Sequence, residues 1–287
     1  MRGRIFTAKL ALCLALTGAG VLLAVQPAWW ARAMGVVLTG CMFAHAAELQ
    51  HETLHHLAYR KPRVNRVVGV ALGLPMLISF TAYQVTHLRH HRDLGTPRNR
   101  EFFDYGNQYG TPEQRSRLGA AASWCVRFTM LHHYAQFTRD VARSLVGRNI
   151  DGERPHTSRR IRHEHLLTFA VLLALVAVSV LLGRGVVVWA WLLPLVLVAA
   201  PVHALVELPE HHRCETLNRS PFANTRTIRS NVLMTWFTNG NNYHVEHHLM
   251  PNLPIRQLPE LHAVVQDRLR HFHPSYRDYF SKLIRSK

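Results

Sequence analysis

Apolar residues in this chain are gathered into blocks. The first covers 5–25, after the opening Met-Arg-Gly-Arg, and a second, 29–47, follows a Gln26-Pro27 turn. Each approaches the ~20 residues needed to cross a hydrocarbon core. A cleaved signal peptide has a shorter apolar core of about 7–15 residues and a small-residue cleavage site, so the two blocks together predict a transmembrane hairpin. Blocks 166–182 and 186–203, separated by Gly183-Arg184-Gly185, predict a second hairpin. Between the hairpins, 67–80 is apolar but too short to span, and it is bordered by Asn65, Arg66, Tyr83 and Gln84. It predicts an interfacial or re-entrant helix. The remainder, about 51–163 and 207–287, is polar, basic and rich in histidine, which predicts a helical cap outside the bilayer. The expected fold is an all-α integral membrane protein, a single domain over 1–287 with four crossings in two hairpins plus interfacial helices.

Charge gives this layout a direction. Lys and Arg concentrate in the N-terminal tetrapeptide, in 59–66, in the run from Arg139 to Arg162 and in the C-terminal tail, while the outer turns carry little beyond Arg32 and Arg184. Short basic segments stay on the cytoplasmic side, so both termini and the cap are expected there. Trp29, Trp30, Trp189 and Trp191 fall near the outer ends, where aromatic belts form. The formal net charge of +17, with 21 histidines counted neutral, points to an anionic partner. That partner could be nucleic acid, a phospholipid surface or an acidic protein, and nucleic acid would explain the charge but not the hairpins. Cys13, Cys41, Cys125 and Cys214 are far apart and form no C-x-x-C pair, so neither a zinc ribbon nor a disulfide framework is indicated, and two of them lie in apolar blocks, where a role as small buried hydrophobes is expected.

The histidines carry the chemistry. His51, His55 and His56 follow the second block; His87, His90 and His91 follow the interfacial one; His244, His247 and His248 lie beyond the fourth. On a helix, positions i, i+3 and i+4 share a face, so H-x-x-H-H aims three imidazoles in one direction. Three such helices would build a polyimidazole cage. Taken alone, H-E-x-x-H at His51–His55 matches a zinc metallopeptidase, with Glu52 as its base. A catalytic zinc takes three protein ligands and a water, and this chain offers eight or more imidazoles at one predicted face. That number suits two six-coordinate irons. A metal carrier would place its polar ligands within the crossings, and these lie beyond the helix ends. Isolated His45, His133, His165 and His273 are expected to be core or surface residues.

The three boxes, H-E-x-x-H-H from His51, H-x-x-H-H from His87 and Tyr243-His244-x-x-His247-His248, resemble those of the membrane fatty acid desaturase and hydroxylase family. The likeness runs from His51 to about Arg268. It is most specific in Asn224-Thr225-Arg226-Thr227, the third box and Leu258-Pro259-Glu260-Leu261-His262, which resemble the C-terminal end of bacterial acyl-lipid desaturases. The resemblance implies four crossings and a cytoplasmic non-haem diiron centre that consumes dioxygen and two external electrons. It also implies a further histidine ligand between boxes two and three, for which His211 matches, with His212 competing. The implied ligands are then His51, His55, His87, His90, His91, His211, His244, His247 and His248, with His56 in a neighbouring role. Glu52, Glu210 and Glu246 are placed to orient imidazoles or to be solvated; Asn241 and Asn242 could hold a water or cap a helix. The implied substrate is a fatty-acyl or lipid chain, desaturated or, on the same scaffold, hydroxylated. No His-Pro-Gly-Gly haem motif and no cysteine set for an iron–sulfur cluster is found, so electrons are expected from a ferredoxin or similar donor; Arg139, Arg143, Arg148, Arg159 and Arg160 could dock it, bind lipid phosphates or only fix the topology.

Overall fold

A computed structural model describes residues 2–103 and 117–285 of the chain. Part of the expected cap, 104–116, lies outside the described residues. The helices are α1 (Arg2–Ala24), α2 (Trp29–Leu54), α3 (Pro62–Gly73), α4 (Phe80–Asp93), α5 (Arg117–Thr129), α6 (Leu131–Leu145), α7 (Pro155–Leu182), α8 (Ala200–His211), α9 (Pro221–Asn224), α10 (Val232–Phe237), α11 (His244–Leu249), α12 (Leu258–Val265) and α13 (Tyr276–Arg285). Ahead of α8, Val188–Leu192 and Pro194–Ala199 are wound as π-helical turns. Pro194 has no N–H to give to the preceding turn, and the wider winding accommodates the missing bond. Two short strands, β1 (Thr227–Ile228) and β2 (Phe272–His273), pair in parallel, Thr227 opposite Phe272.

The chain forms two compact units, Met1–Gln84 with Ala122–Ala204, and Val85–Ala121 with Leu205–Lys287. In the first unit α2 is the central helix, packed against α1, α3 and Pro194–Ala199. Seventeen of its residues are buried, including the polar Thr39, His45, Glu48, Gln50 and His51. Gly35 lets α1 close on α2, since a Cβ there would strike the backbone of Gly20 and Ala24. Around this core, α1 and α7 expose Leu14, Leu22, Leu173, Val180 and Leu181. A water-soluble surface rarely carries such continuous apolar area.

Three helical segments are long and apolar enough to cross a membrane: Gly3–Ala24, Pro155–Leu182 and Val188–His211. Pro62–Met76 with Phe80–Asp93 makes a fourth if the bent pair is taken as one span. The chain is therefore a mostly helical membrane protein with three or four candidate spans. The block 29–47 is not among them. Helix α2 has the length, but Arg32 and His45 interrupt its apolar run, and the bundle rather than lipid covers its polar residues. Helix α7 starts about three turns ahead of its apolar block, at Pro155, whose fixed φ suits a first helical turn. It stops at Gly183, left-handed at φ 61°.

Within the same unit the start of α4 is held by a carboxylate from α7. Glu164 accepts from Ser79 Oγ (2.7 Å), Thr81 N (2.8 Å), Thr81 Oγ1 (2.6 Å) and Arg66 Nη2 (3.2 Å). Anions at a helix N-terminus satisfy free amides and the helix dipole together. The second unit is built on a small apolar core of Tyr243, Leu253, Ile255 and Leu258 and on buried hydrogen bonds around Arg226, Thr227 and Glu246.

Candidate metal centre

In the second unit, three segments bring imidazoles together. Helix α4 presents His87, His90 and His91 on one face; α11 presents His244, His247 and His248; the last residue of α8 is His211. Pro209 lies inside α8 and cannot donate to the previous turn. The end of that helix is secured from outside: buried Arg226 donates through Nη1 to Pro209 O (2.5 Å) and His212 O (2.8 Å), and its amide donates to Glu210 O (2.8 Å). Helix α11 is aimed by Asn242, whose Nδ2 donates to Ile228 O (2.8 Å) and whose Oδ1 accepts from Thr238 Oγ1 (3.1 Å). Asn242 thus ties box three to β1; the helix start itself is Tyr243, with no side-chain cap.

The Nε2 atoms converge in two runs. His211 faces His244 at 2.9 Å, His244 faces His248 at 3.1 Å, and His248 faces His90 at 3.3 Å. In the other run His87 and His91 are 3.0 Å apart, as are His91 and His247. The outer nitrogens are fixed where it matters most. His211 Nδ1 donates to Asn224 O (2.9 Å) and His90 Nδ1 to Asn99 Oδ1 (2.8 Å), which leaves both Nε2 atoms as lone-pair donors. Burial, and then the neighbouring imidazoles, hold His248 well below the ordinary imidazole value of 6.5, so it is neutral. Ligand atoms of His90, His211 and His248 lie within 4.8 Å of one another, as do those of Glu210, His211 and His244.

This donor set fits a transition metal. Imidazole suits iron, zinc, copper and nickel, and metal–nitrogen bonds of about 2.1 Å at right angles set neighbouring nitrogens about 3 Å apart. In one run four imidazoles meet, in the other three. His51 and His55 belong to the first unit, at the end of α2, with ring centroids 5.2 Å apart. Burial lowers the His55 pKa well below 6.5. His56 is exposed and left-handed at φ 56°, with Nε2 3.4 Å from Gln84 Nε2. His212 also turns aside, its Nδ1 3.1 Å from Tyr279 Oη.

The carboxylates divide. Glu210 Oε2 lies 3.5 Å from His244 Nε2, on the inner side of that ring. Glu52 interacts electrostatically with Lys9. Glu246, inside box three, points elsewhere: it accepts from Thr227 Oγ1 and pairs with His262 Nδ1, both at 2.6 Å. It braces α11 through residues that are not among the clustered imidazoles, so its expected orienting role is corrected. His273 pairs with Asp278 at 2.7 Å and His133 meets Met76 O at 3.0 Å, as partnered residues away from the cage. Sequence spacing gives no sign of Asn99 or Glu101, which follow α4 without a histidine-like pattern and yet touch His87 and His90. Their only local mark is a polar, acceptor-bearing stretch directly after box two.

The chain is similar to known desaturases. It is 24% identical over 249 residues to dihydrorhizobitoxine desaturase of Bradyrhizobium elkanii, covering 79% of this chain and 65% of that protein. Over 77 residues it is 30% identical to the soybean (Glycine max) omega-6 fatty acid desaturase, endoplasmic reticulum isozyme 1, covering 27% of this chain and 18% of that protein. The family model for fatty acid desaturases matches residues 27–280. Spanning both units and all three histidine boxes, that match places the protein in the fatty acid desaturase family, a family of oxidoreductases.

Proposed function

We propose that the protein is a membrane-bound non-haem diiron oxygenase that desaturates an aliphatic chain, fatty-acyl or lipid. The convergence of seven Nε2 atoms in two runs carries this reading. One seat is assigned His90, His211, His244 and His248, the other His87, His91 and His247, with His51 and His55 as the box-one ligands. Two irons bound by these residues supply, with dioxygen and two external electrons, the oxidising power to take hydrogen from an unactivated methylene. The chain's own contribution is positional. Asn99 and the Asn224 carbonyl hold two ring tautomers, and burial keeps water from the imidazoles. The unbroken family match over both units supports treating 1–287 as one domain.

An aliphatic substrate needs an apolar place, and the first unit holds a cavity of about 250 Å³ whose walls include Val21, Phe43, Leu172, Leu175, Val187 and Trp191. We assign the four crossings to α1, α2, α7 and Val188–His211, with the termini and histidines on the cytoplasmic side of a bacterial inner membrane, from the distribution of Lys and Arg. The basic residues of α6 and the start of α7 are assigned to anionic lipid or an acidic electron donor such as a ferredoxin. The peptidase reading of H-E-x-x-H is set aside, because it leaves boxes two and three without a task.

A second reading keeps the scaffold and changes substrate or outcome. The similarity to dihydrorhizobitoxine desaturase favours a small metabolite in place of a lipid, and oxygen insertion in place of hydrogen loss is the alternative product. The test is expression with a competent reductant, followed by mass spectrometry of lipid and aqueous extracts. Loss of two hydrogens supports desaturation, and gain of one oxygen supports hydroxylation. A purified protein with one zinc and no iron would overturn both.

A further inference from the structure

Glu101 stands at an unusual place for a carboxylate. Its side chain is 10% exposed; Oε1 lies 3.4 Å from His87 Nδ1 and accepts from Phe102 N (3.2 Å), while Oε2 lies 3.1 Å from His90 Nε2. These contacts are on opposite sides of the two rings. Toward His87 the carboxylate meets the outer nitrogen, because His87 Nε2 is turned to His91. Toward His90 it meets the inner nitrogen, the atom also 3.3 Å from His248 Nε2.

The proton inventory makes the second contact informative. His90 Nδ1 faces Asn99 Oδ1, an acceptor, at 2.8 Å, so the ring proton of neutral His90 is on Nδ1. Nε2 is then a bare lone pair facing a carboxylate oxygen at 3.1 Å, with a further imidazole nitrogen beside it. A lone pair and a carboxylate oxygen meet at that distance around a shared cation or a shared proton, and the ring of imidazole nitrogens beside this contact favours the metal cation. Charge argues the same way. Two ferrous ions among neutral imidazoles put four positive charges in a buried site, and a buried charge must be paired or heavily coordinated. Anionic oxygen is the ligand type that lowers this charge, and carboxylates are accepted by iron beside imidazole.

We propose that Glu101 is a carboxylate ligand of the metal held by His90, His211 and His248, so that the centre is a mixed histidine–carboxylate site with Oε1 orienting His87 at the same time. This rests on the metal reading given above. The test compares the unaltered protein with Glu101→Gln and Glu101→Asp, all reconstituted with iron-57. Readouts are iron per chain, affinity by chelator competition, Mössbauer spectra and iron-minus-apo infrared difference spectra. Glu101→Gln is expected to weaken one of the two irons at least about tenfold, to alter one Mössbauer doublet and to remove a carboxylate stretch present in the unaltered protein. Glu101→Asp should keep that band at a shifted position and recover part of the affinity. Unchanged affinity and doublets in Glu101→Gln overturn the proposal while leaving the diiron reading intact; no iron in the unaltered protein overturns that reading itself. If Glu101→Gln does not fold, Glu101→Asp decides: a shifted band supports the proposal and an unshifted one overturns it.

Discussion

Glu246 shows how a residue inside a metal-binding motif can serve the motif without touching its imidazoles. It is fully buried and bonded at 2.6 Å to both Thr227 Oγ1 and His262 Nδ1, and Thr227 Oγ1 in turn accepts from Val245 N at 3.2 Å. Removing one partner of a buried polar pair strands the other, at roughly 3–5 kcal/mol. Glu246→Ala should therefore lower the thermal midpoint sharply even in iron-free protein, and Glu246→Gln by less, because it still accepts from Thr227. Equal midpoints for iron-free Ala variant and unaltered protein would show that the pair braces nothing. The contrast with the imidazoles explains what was legible. The boxes could be read because i, i+3, i+4 spacing is local and a helix converts it into one face. The partners of Glu246 lie 16 and 19 residues away, and Glu101 lies beyond the end of the helix that carries its partners His87 and His90, so only the fold assembles them. His211 against His212 was undecidable by spacing for the same reason: one residue of helix rotation, fixed by Arg226 and Asn224, sends one ring inward and the other to Tyr279.

At the level of elements, the connection from α10 to α11 sets the aim of box three. Asn239 and Gly240 are both left-handed, at φ 51° and 86°, and the Gly240 amide closes on Thr235 O at 2.8 Å. A Cβ on Gly240 would lie 2.5 Å from Ile255 Cγ2. Gly240→Ala combines left-handed strain with a clash, together roughly 1–3 kcal/mol, and should lower both the thermal midpoint and iron occupancy; an unaltered iron content would show that box three is aimed from elsewhere. Helix α6 offers a pH prediction. His133 is buried against Met76 O, and burial, before the neighbouring imidazoles, pushes its pKa from 6.5 to about 4. The unfolded chain therefore binds a proton that the folded chain refuses between those values. Stability from the neutral ring is complete above about pH 6.5 and is lost as pH falls toward 4, up to about 3 kcal/mol in all. His133→Gln, which keeps a donor for the carbonyl and cannot titrate, should flatten that part of the midpoint-against-pH curve in detergent. A curve of unchanged slope would remove His133 as its source. The apolar blocks forecast α1, α7 and the last span well. For α2 they forecast the helix but not the burial of its polar residues by protein.

For the whole molecule, membership of the fatty acid desaturase family joins two observations that neither explains alone: apolar helices with exposed leucine and valine, and a buried set of facing imidazoles. The last prediction concerns what holds the second unit together. Its clustered rings come from α4, the end of α8 and α11, segments far apart in sequence, and each pair of facing Nε2 atoms at 2.9–3.3 Å needs a cation or a shared proton between them. A bound metal serves every pair at once and, binding the folded state only, stabilises it by about 2.7 kcal/mol at a hundredfold excess over its dissociation constant. Stripping the metal should therefore loosen these three segments specifically. Hydrogen–deuterium exchange is expected to quicken in 85–93, 205–211 and 244–249 after chelation, while α6 and the buried part of α2 ahead of His45 keep their protection, and ferrous iron restores the original pattern. Zinc should restore protection as well, because the argument depends on cation and geometry rather than on redox chemistry, but it should not restore turnover. If exchange in the three segments is indifferent to metal, the imidazoles are held by the helices alone, and metal contributes chemistry without contributing to the fold.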